Sequence, residues 1–335
     1  MTPNANTLMA TALAAAALLA GCSEGGAGKP SEPLPPVPIN TTTGWSDSPF
    51  ISRDGQRLYF MYSRYDFAPW ILSGGAQAPV LSGPDRPGLH HSGNPFDESD
   101  IYVATRRADG TWSEPVNLPF NDDSGDSSGM EIEGGNAFVW LHGSGSARNI
   151  VMARRGADGS WGSPVNLGAG INNHATGVLQ DNPHISPDGN SLWFTSNRPG
   201  GAGQRDIWFS TRTGATWSTP VNIGPPVNTA GEEDQFWYSP VGTDMYWNGP
   251  AGLMRCQSNG FTCAGAPQVV DIPGCRFAAE ASMPDDGSRL YFACSDRVTG
   301  RVRIMYSARR GGRGGGGAAP AGRARRGRGP RRPPP

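Results

Sequence analysis

The sequence predicts an all-β fold, a five-bladed β-propeller of four-stranded antiparallel blades. One phrase occurs three times at intervals of roughly 50 residues, a spacing typical of repeat architectures. The three copies are TWSEPVNL from Thr111, SWGSPVNL from Ser160 and TWSTPVNI from Thr216. The composition agrees, because 48 Gly and 31 Pro in 335 residues favour short strands and turns over helices.

Two further segments precede each copy of this phrase and complete a repeat unit of short strands. The nearer segment reads DIYVATR from Asp100, NIVMARR from Asn149 and DIWFSTR from Asp206. The farther one reads GQRLYFMYSR from Gly55, GNAFVWLHGS from Gly135 and GNSLWFTSNR from Gly189. Such meanders arranged around an axis form a propeller, which leaves few strand edges unpaired.

The turn between the first two strands of a unit occurs five times and sets the number of blades at five. Its copies begin at Ser48, Met130, Asn182, Gln235 and Ala281. The Gly of the Asp-Gly pairs supplies the positive φ that a tight turn requires. The first unit also carries an insertion, Asp66–Ser99. A six-bladed ring is the alternative if this insertion contains a degenerate unit.

The third unit contains the most complete copy of the repeat. It reads Ser186-Pro187-Asp188-Gly189, then Leu192-Trp193-Phe194, then Asp206-Ile207-Trp208. This pattern resembles the TolB-type, WD-repeat-like β-propeller repeat of bacterial envelope (lipo)proteins, with weaker copies over residues 45–310. The resemblance implies a propeller in the cell envelope and leaves the activity open, because a fold does not dictate a function.

The N-terminal residues predict export and a lipid anchor. Residues 1–21 have no charged side chain and include the apolar run Leu8–Ala20, which is too short to span a bilayer but suits a signal peptide. The run ends in Leu19-Ala20-Gly21-Cys22, which resembles the lipobox of bacterial lipoproteins. We therefore expect a signal peptide over 1–21, a lipid anchor at Cys22 and a Pro-rich tether over 22–40. The predicted location is the cell envelope, in the outer membrane, facing the periplasm or the surface; an ordinary cleaved secretory signal is the alternative.

The C-terminal residues 311–335 form an Arg/Gly/Pro-rich tail with seven Arg and no acidic residue. This composition predicts disorder, with binding to a polyanion as the alternative. Nucleic acid is not the expected partner of an exported protein. The propeller itself, over 41–310, is expected to be a monomer.

The cysteines support an oxidising compartment, since four remain after Cys22 is assigned to the lipid. Three pairings are open by number alone. Cys256 and Cys263 lie symmetrically about one turn, and Cys275 and Cys294 nearly symmetrically about another. Symmetric positions of an antiparallel hairpin face each other, so we predict disulfides 256–263 and 275–294.

The fifth unit lacks an outer Trp-x-x-Pro strand. The N-terminal stretch 36–41 ends in Asn40-Thr41, which is similar to Asn228-Thr229 after the third unit. We therefore expect this stretch to supply the missing outer strand and close the ring.

Acidic residues stand at the start of each innermost strand, where a propeller exposes one mouth of its channel. They are Asp47, Asp126, Asp181, Asp234 and Glu280. Five carboxylates around one mouth would raise each other's pKa and attract a cation or sugar hydroxyls. With oxygen ligands alone, Ca²⁺ is the cofactor that the pattern allows, and otherwise none is expected. A structural role between blades, ligand binding and glycosidase-like acid–base catalysis all remain open.

Other candidate residues give weaker signals. His90-His91 lie near Asp97 and Glu98 in the insertion, as a metal site or as a solvated loop. Ser127 fits the G-x-S-x-G pattern without the required strand-to-helix context. Three tryptophans outside the outer strands could stack on a sugar if exposed; these are Trp45, Trp70 and Trp237.

These observations favour a binding protein of the cell envelope that takes a glycan, peptide or protein partner at the acidic mouth without catalysis. Two alternatives belong to other classes. The first is a glycan-cleaving hydrolase that uses the carboxylates at the mouth, and the second is a structural envelope scaffold. The sequence does not decide whether the protein is an enzyme.

Overall fold

The computed structural model describes residues 35–36, 38–239, 244–259 and 262–308, which form a five-bladed β-propeller. The predicted fold class is confirmed, and the insertion Asp66–Ser99 does not add a sixth blade. No helix in the described ranges is long and apolar enough to cross a membrane. The predicted signal peptide, Cys22 and the tail 311–335 lie outside these ranges and stay predictions.

The first two blades each contain four antiparallel strands. Blade 1 and its insertion consist of β1 (Trp45–Ile51), β2 (Arg57–Ser63), β3 (Tyr65–Asp66), α1 (Ala68–Leu72), β4 (Val80–Leu81), β5 (Asp100–Thr105) and β6 (Val116–Asn117). In this blade the order is β1-β2-β5-β6, while β3 pairs with β4 apart from it. Blade 2 consists of β7 (Gly125–Ile132), β8 (Ala137–Gly143), β9 (Asn149–Arg154) and β10 (Val165–Asn166), with short 3-10 helices at Glu133–Gly135 and Gly145–Ala147.

The remaining three blades follow the same meander. Blade 3 consists of β11 (Gln180–Ile185), β12 (Ser191–Ser196), β13 (Asp206–Thr213), β14 (Thr216–Trp217) and β15 (Val221–Asn222). Blade 4 consists of β16 (Asp234–Tyr238), β17 (Asp244–Gly249), β18 (Gly252–Asn259), β19 (Thr262–Cys263) and β20 (Gln268–Val269). Blade 5 consists of β21 (Cys275–Ser282), β22 (Arg289–Asp296) and β23 (Val302–Ala308).

The second strand of each blade forms the centre of the core. Such a strand is covered by a neighbouring blade on each face, so both of its faces are apolar. One large side chain from every blade is almost fully buried here: Phe60, Trp140, Phe194, Trp247 and Phe292. The apolar runs of the sequence therefore correspond to the layers between blades.

A buried asparagine caps the third strand of several blades. In blade 1 the Asn121 side chain accepts from the backbone N–H of Ile101 (3.3 Å) and donates to its carbonyl oxygen (2.8 Å). Asn172 binds Ile150 and Asn228 binds Ile207 in the same two-bond manner. These caps satisfy strand groups near the blade rim that would otherwise be buried without partners.

Asn40 makes the same pair of bonds to Ile304 of β23, at 2.7 and 2.9 Å, and so joins the N-terminal segment to the last blade. The predicted closure between the two ends of the propeller is therefore present. The predicted strand over 36–41 is not, because its described residues 36 and 38–41 form turns and a bend and lie outside every strand.

Both predicted disulfides are present, as Cys256–Cys263 and Cys275–Cys294, with Cα–Cα distances of 5.7 and 5.4 Å. The cysteines are not directly opposite each other, however. Cys263 is opposite Ser258 and Cys294 is opposite Ala278, so each bond joins diagonal positions. The turn positions therefore predicted the partners, and the strand register differs from the assumed symmetry.

Candidate functional site

The innermost strand of every blade has a bulge near its start. The register shifts at the same place in β1, β7, β11, β16 and β21. Each bulge holds one non-glycine residue with φ between 46° and 60°, a conformation that is uncommon for such residues. These five bulge residues are Ser48, Ser128, Asn182, Gln235 and Glu280. Backbone strain of this kind tends to cluster at functional sites, and here it is repeated in all five blades.

The bulge residues form hydrogen bonds to one another across the channel. Glu280 accepts from the Ser48 backbone N–H and from the Gln235 side-chain amide. The Ser128 hydroxyl lies 3.5 Å from that of Ser48 and donates to Asn182. Asn182 in turn donates to Asp234 at 2.5 Å. The five side chains therefore form a polar floor, and we call them the bulge ring.

A cavity of about 180 Å³ lies on the side of the bulge ring where the innermost strands begin. Four of the five predicted carboxylates line it: Asp47, Asp181, Asp234 and Glu280. We call this opening the acidic mouth. Aromatic side chains of the first blade, its insertion and the fifth blade form its apolar wall: Trp45, Phe67, Trp70, Phe96 and Phe277.

Asp126 does not line this cavity. Its fully buried carboxylate accepts hydrogen bonds from Trp140 Nε1 (2.7 Å) and pairs with His142 Nδ1 (2.8 Å). Asp47, Asp181 and Asp234 are the last paired residues before the bulge of their strands. In blade 2 this position is occupied by Ser127, one residue after Asp126. Asp126 is therefore an anchor within blade 2, and burial raises its pKa.

Two arginines line the acidic mouth, Arg148 and Arg205, and Arg205 is the more deeply buried of them. Its guanidinium lies 3.0 Å from Asp234 and 3.9 Å from Asp181, and it also pairs with Glu232. Burial alone would lower the pKa of Arg205. The charges of these three carboxylates outweigh burial and raise this pKa above its usual value. One guanidinium thus neutralises part of a surplus of negative charge.

Three carboxyls of the cavity have raised pKa values, including Asp181, which Arg205 and Arg148 compensate only in part. Burial raises the pKa of Asp47 to about 6, although Trp45 Nε1 donates to it at 2.6 Å. Burial, with the charge of Asp234, raises the pKa of Asp181. Burial, with the charge of Asp47, raises the pKa of Glu280 well above its usual range. These groups therefore keep a proton to higher pH than exposed carboxyls do.

The predicted aromatic platforms fall at two different places. Trp45 and Trp70 both line the acidic mouth, but they are only 5% and 4% exposed, so the exposure on which their stacking against a sugar depended is not found. Trp70 is held edge-on against Phe96 of the insertion, with ring centroids 5.3 Å apart. Trp237 faces the opposite end of the channel. The insertion thus forms a wall of the acidic mouth.

The histidine pair of the insertion forms separate contacts. His90 Nδ1 lies 3.0 Å from Asp100, and His91 lies 3.4 Å from Asp85 and 3.6 Å from Glu98. Neither histidine belongs to the cluster of the described ranges that could hold a metal ion. That cluster consists of Asp122, Asp126 and His142, whose ligand atoms lie within 4.8 Å of one another. Ser127 lines the acidic mouth but lies in a β-strand, not in a strand-to-helix turn.

Sequence reasoning missed Arg205 and four members of the bulge ring. Glu280 was grouped with the aspartates, whereas it belongs with Ser48 and its equivalents. The available signal was the alignment of the innermost strands, since placing Glu280 beneath Ser48 brings the five bulge residues into one column. Their hydrogen bonds depend on the channel radius, which the sequence does not contain.

Comparison with known proteins finds similarity in structure alone. No protein-family model matches the chain, and no curated protein matches its sequence. A glycoside hydrolase superposes with a TM-score of 0.53 at 12% identity, over 84% of this chain and 91% of that one. A thermostable family-43 glycoside hydrolase gives 0.47 at 10% identity, over 82% and 91%. TolB from Acinetobacter baumannii gives 0.38 at 14% identity, over 76% and 67%. The structural neighbours thus include TolB and other propeller proteins. Of the three, the glycoside hydrolase with a TM-score of 0.53 supports a shared fold, and at 12% identity it supports the fold alone.

Proposed function

We propose that this protein binds a glycan at the acidic mouth, without cleaving it, in the cell envelope to which Cys22 would anchor it. The observation that carries the proposal is the pairing of two surfaces in one cavity. Carboxylates lie beside the bulge ring that forms the floor, and the edges of Trp45, Trp70 and Phe96 form the wall. Sugars present hydroxyl donors at their edges and apolar C–H groups on their faces, so a concave site with both surfaces suits them.

The state of the carboxylates favours binding over turnover. Asp234 accepts from Asn182, from the Thr195 hydroxyl (2.7 Å) and from the Gln235 backbone N–H (2.8 Å). Glu280 likewise accepts from two donors of the bulge ring. Carboxylates with this many partners are held rigidly, and fewer of their lone pairs are free for proton transfer to a substrate.

Arg205 makes sugar hydroxyls a better ligand than Ca²⁺. A divalent ion between Asp181 and Asp234 would lie beside a buried guanidinium, which repels it. Neutral hydroxyl donors meet no such repulsion. Ca²⁺ therefore serves in the experiment as the competing ligand.

The test is a thermal-melt screen of the protein against envelope oligosaccharides and Ca²⁺, followed by calorimetry of any hit. A ligand that binds the folded state alone raises the melting temperature. We expect an oligosaccharide to do so, and Asp47→Asn or Asp181→Asn to weaken its affinity by about tenfold, the loss of one charged hydrogen bond. Asp285→Asn, at the opposite end of the channel, is the matched control and should bind normally.

Two results would reject glycan binding at this mouth. One is a screen in which no oligosaccharide shifts the melting temperature. The other is a hit whose affinity is the same in Asp47→Asn, Asp181→Asn and the control. A shift with Ca²⁺ alone would assign the carboxylates to a metal.

A second candidate, glycan hydrolysis, is favoured by the contrast among the carboxyls. Glycosidases need one protonated and one ionised carboxyl, and here Glu280 has a strongly raised pKa while Asp234 is paired with Arg205. Hydrolysis predicts release of reducing sugar by the wild type and its loss in Glu280→Gln with the melting temperature retained. Absence of turnover on every bound oligosaccharide would reject this candidate and leave the binding proposal intact.

A further inference from the structure

The channel contains a cavity of about 520 Å³ at the end opposite the acidic mouth. Residues of all five innermost strands, or of the turns that follow them, line this cavity, so it lies on the propeller axis. Pockets that bind small molecules usually have about 300–1,000 Å³, mostly apolar walls and a few polar groups that orient the ligand. The cavity has the size of such a pocket, and its walls decide which ligand fits.

The walls nearest the bulge ring are formed by the next side chains of the innermost strands that face the axis. Alternate residues of a strand point to the same side, so the residues two positions after the bulge ring also face the channel. We call these five residues the second ring: Phe50, Met130, His184, Trp237 and Ser282. All except Ser282 also line the larger cavity.

The wall beyond the second ring is mostly apolar. Phe50, Met130 and Trp237 contribute two aromatic rings and a thioether to it. Four further apolar side chains continue this surface and are at most 3% exposed: Ile51, Ile132, Ile185 and Met283. Aromatic rings and methionine favour a flat apolar group, because methionine adapts its shape to the ring that it contacts.

The two arginines that line the cavity are already paired with carboxylates of its rim. Arg57 lies 2.7 Å from Glu131, and Arg53 lies 2.7 Å from Asp285. Glu133, another carboxylate of the rim, is paired with Arg154. A charged ligand would have to displace one of these pairs, so the rim favours an uncharged ligand.

His184 is the polar member of the second ring that lines the cavity, and it is 7% exposed. The backbone N–H of Tyr238 donates to His184 Nε2 at 3.3 Å. A ring nitrogen that accepts a hydrogen bond carries no proton, so the imidazole is neutral and its proton lies on Nδ1. Burial acts in the same direction, because it lowers the pKa of His184 to about 3.

The Nδ1–H of His184 is a donor that faces the channel. Within the described ranges no hydrogen bond from this atom to another residue is found. Unlike the partnerless Nε atoms of Arg148 and Arg212, it is not fully enclosed by protein, so it is accessible from the channel that His184 lines. An unmet donor on a mostly buried side chain is costly, so a ligand that supplies an acceptor oxygen gains affinity here.

We propose that this cavity binds an uncharged, largely apolar molecule whose carbonyl or ether oxygen accepts a hydrogen bond from His184 Nδ1. Its apolar part would pack against Phe50, Met130 and Trp237. The channel then has two sites of opposite character, separated by the bulge ring. The acidic mouth suits a ligand rich in hydroxyls, and this cavity suits an apolar ligand with one acceptor.

The test measures binding of three naphthalene probes to the full chain. Prodan is an uncharged naphthyl ketone whose fluorescence increases in apolar surroundings, and we expect it to bind saturably. 2-Ethylnaphthalene, which has the ring without the oxygen, should displace it. 2-Naphthoate should bind at least about tenfold more weakly than prodan, because its charge would be buried without a free counter-ion.

His184→Phe isolates the hydrogen bond, because it keeps an aromatic ring and removes the donor. It should weaken prodan by about tenfold, the loss of one hydrogen bond, and change the affinity for 2-ethylnaphthalene by less than about twofold. His174→Phe, the same substitution at an exposed histidine, is the matched control and should bind prodan as the wild type does. Melting curves report whether each variant is folded.

Three results would overturn the proposal. The first is a wild type that does not bind prodan, or that binds 2-naphthoate as tightly. The second is equal prodan affinity in the wild type and in His184→Phe, which would place the dye elsewhere. The third is an equal loss for prodan and 2-ethylnaphthalene, which would show that His184 only shapes the cavity. If His184→Phe does not fold, the ¹⁵N signal of His184 Nδ1 in the wild type decides, since prodan should shift it more than 2-ethylnaphthalene does.

Discussion

The two ends of the channel differ in how fully arginines neutralise their carboxylates. The opposite end, which we call the turn mouth, is lined by the turns that follow the innermost strands. There Glu131 accepts hydrogen bonds from Arg57 (2.7 Å) and from the Tyr59 hydroxyl (2.6 Å). Both carboxylate oxygens of Asp285 accept from Arg53. At the acidic mouth several carboxyls share Arg205, and the near partners of Asp47 are the uncharged Trp45 and Ser48.

This contrast separates architecture from function. The cavity of the turn mouth is larger than that of the acidic mouth, about 520 Å³ against about 180 Å³, so size alone would favour the turn mouth of these two. Its carboxylates, however, are neutralised by arginines of the same or the next blade, which is what joining blades requires. Incompletely compensated charge is costly to bury and persists where a ligand uses it. The contrast therefore supports the acidic mouth as the proposed glycan-binding site.

The largest expected effect comes from removing Arg205, the buried cation of the acidic mouth. Arg205→Met should lower the free energy of unfolding by about 3–5 kcal/mol, because Asp181, Asp234 and Glu232 lose their buried partner. Urea denaturation measures this value. A loss below about 1 kcal/mol would mean that solvent already screens these carboxylates, and the contrast between the mouths would fail.

A smaller effect is expected from pH, through Asp47. Its pKa is about 6 in the folded protein and lower when the chain unfolds, so the folded state binds more protons between these values. Stability should therefore rise as pH falls from 7 through 6 toward 4. His142, whose pKa Asp126 raises, acts in the same direction, so a variant is needed to isolate Asp47.

The comparison is between the wild type and Asp47→Asn, in melting curves at pH 7 and pH 5. The wild type should gain about 2–4 °C more than the variant on acidification. Equal gains in both proteins would show that Asp47 titrates like an exposed carboxyl, and would remove it from the set of buried, uncompensated groups.

The smallest effect is expected at the turn mouth. Arg53 pairs with Asp285 on the surface, with exposed side-chain fractions of 51% and 33%. Arg53→Ala should therefore cost less than about 1 kcal/mol of unfolding free energy, and less in high salt. A cost that approaches that of Arg205→Met would show that the turn mouth is as strongly coupled as the acidic mouth.

Repetition made the fold predictable. Trp112, Trp161 and Trp217 recur with the same neighbours, so each copy corroborated the others, and the five turns gave the blade number. The disulfide partners were predictable because they lie close to their turns along the chain. Their diagonal geometry was not, because the bulge in β21 and the register of β19 with β18 depend on packing.

The candidate site was predictable only in part. Asp47, Asp181 and Asp234 occupy equivalent places in the repeat, so alignment brought them together correctly. Asp126 and Glu280 resemble these aspartates in being acidic, but they are not at the equivalent position. Relative to the bulge, Asp126 lies one residue earlier and Glu280 one residue later. No pattern in the sequence linked Arg205 or Trp70 to this mouth. Arg205 directly precedes the third strand of blade 3, and Trp70 lies in the insertion of blade 1.

The sequence by itself determined the repeat unit, the five blades and the positions of the turns, because these follow from local periodicity and the demands of glycine and proline. The tertiary structure alone decided which charged groups meet at the channel axis. Residues such as Ser48 and Glu280 are distant in the chain and become neighbours only when the ring closes. Their pKa values depend on burial within that ring, a property of all five blades together.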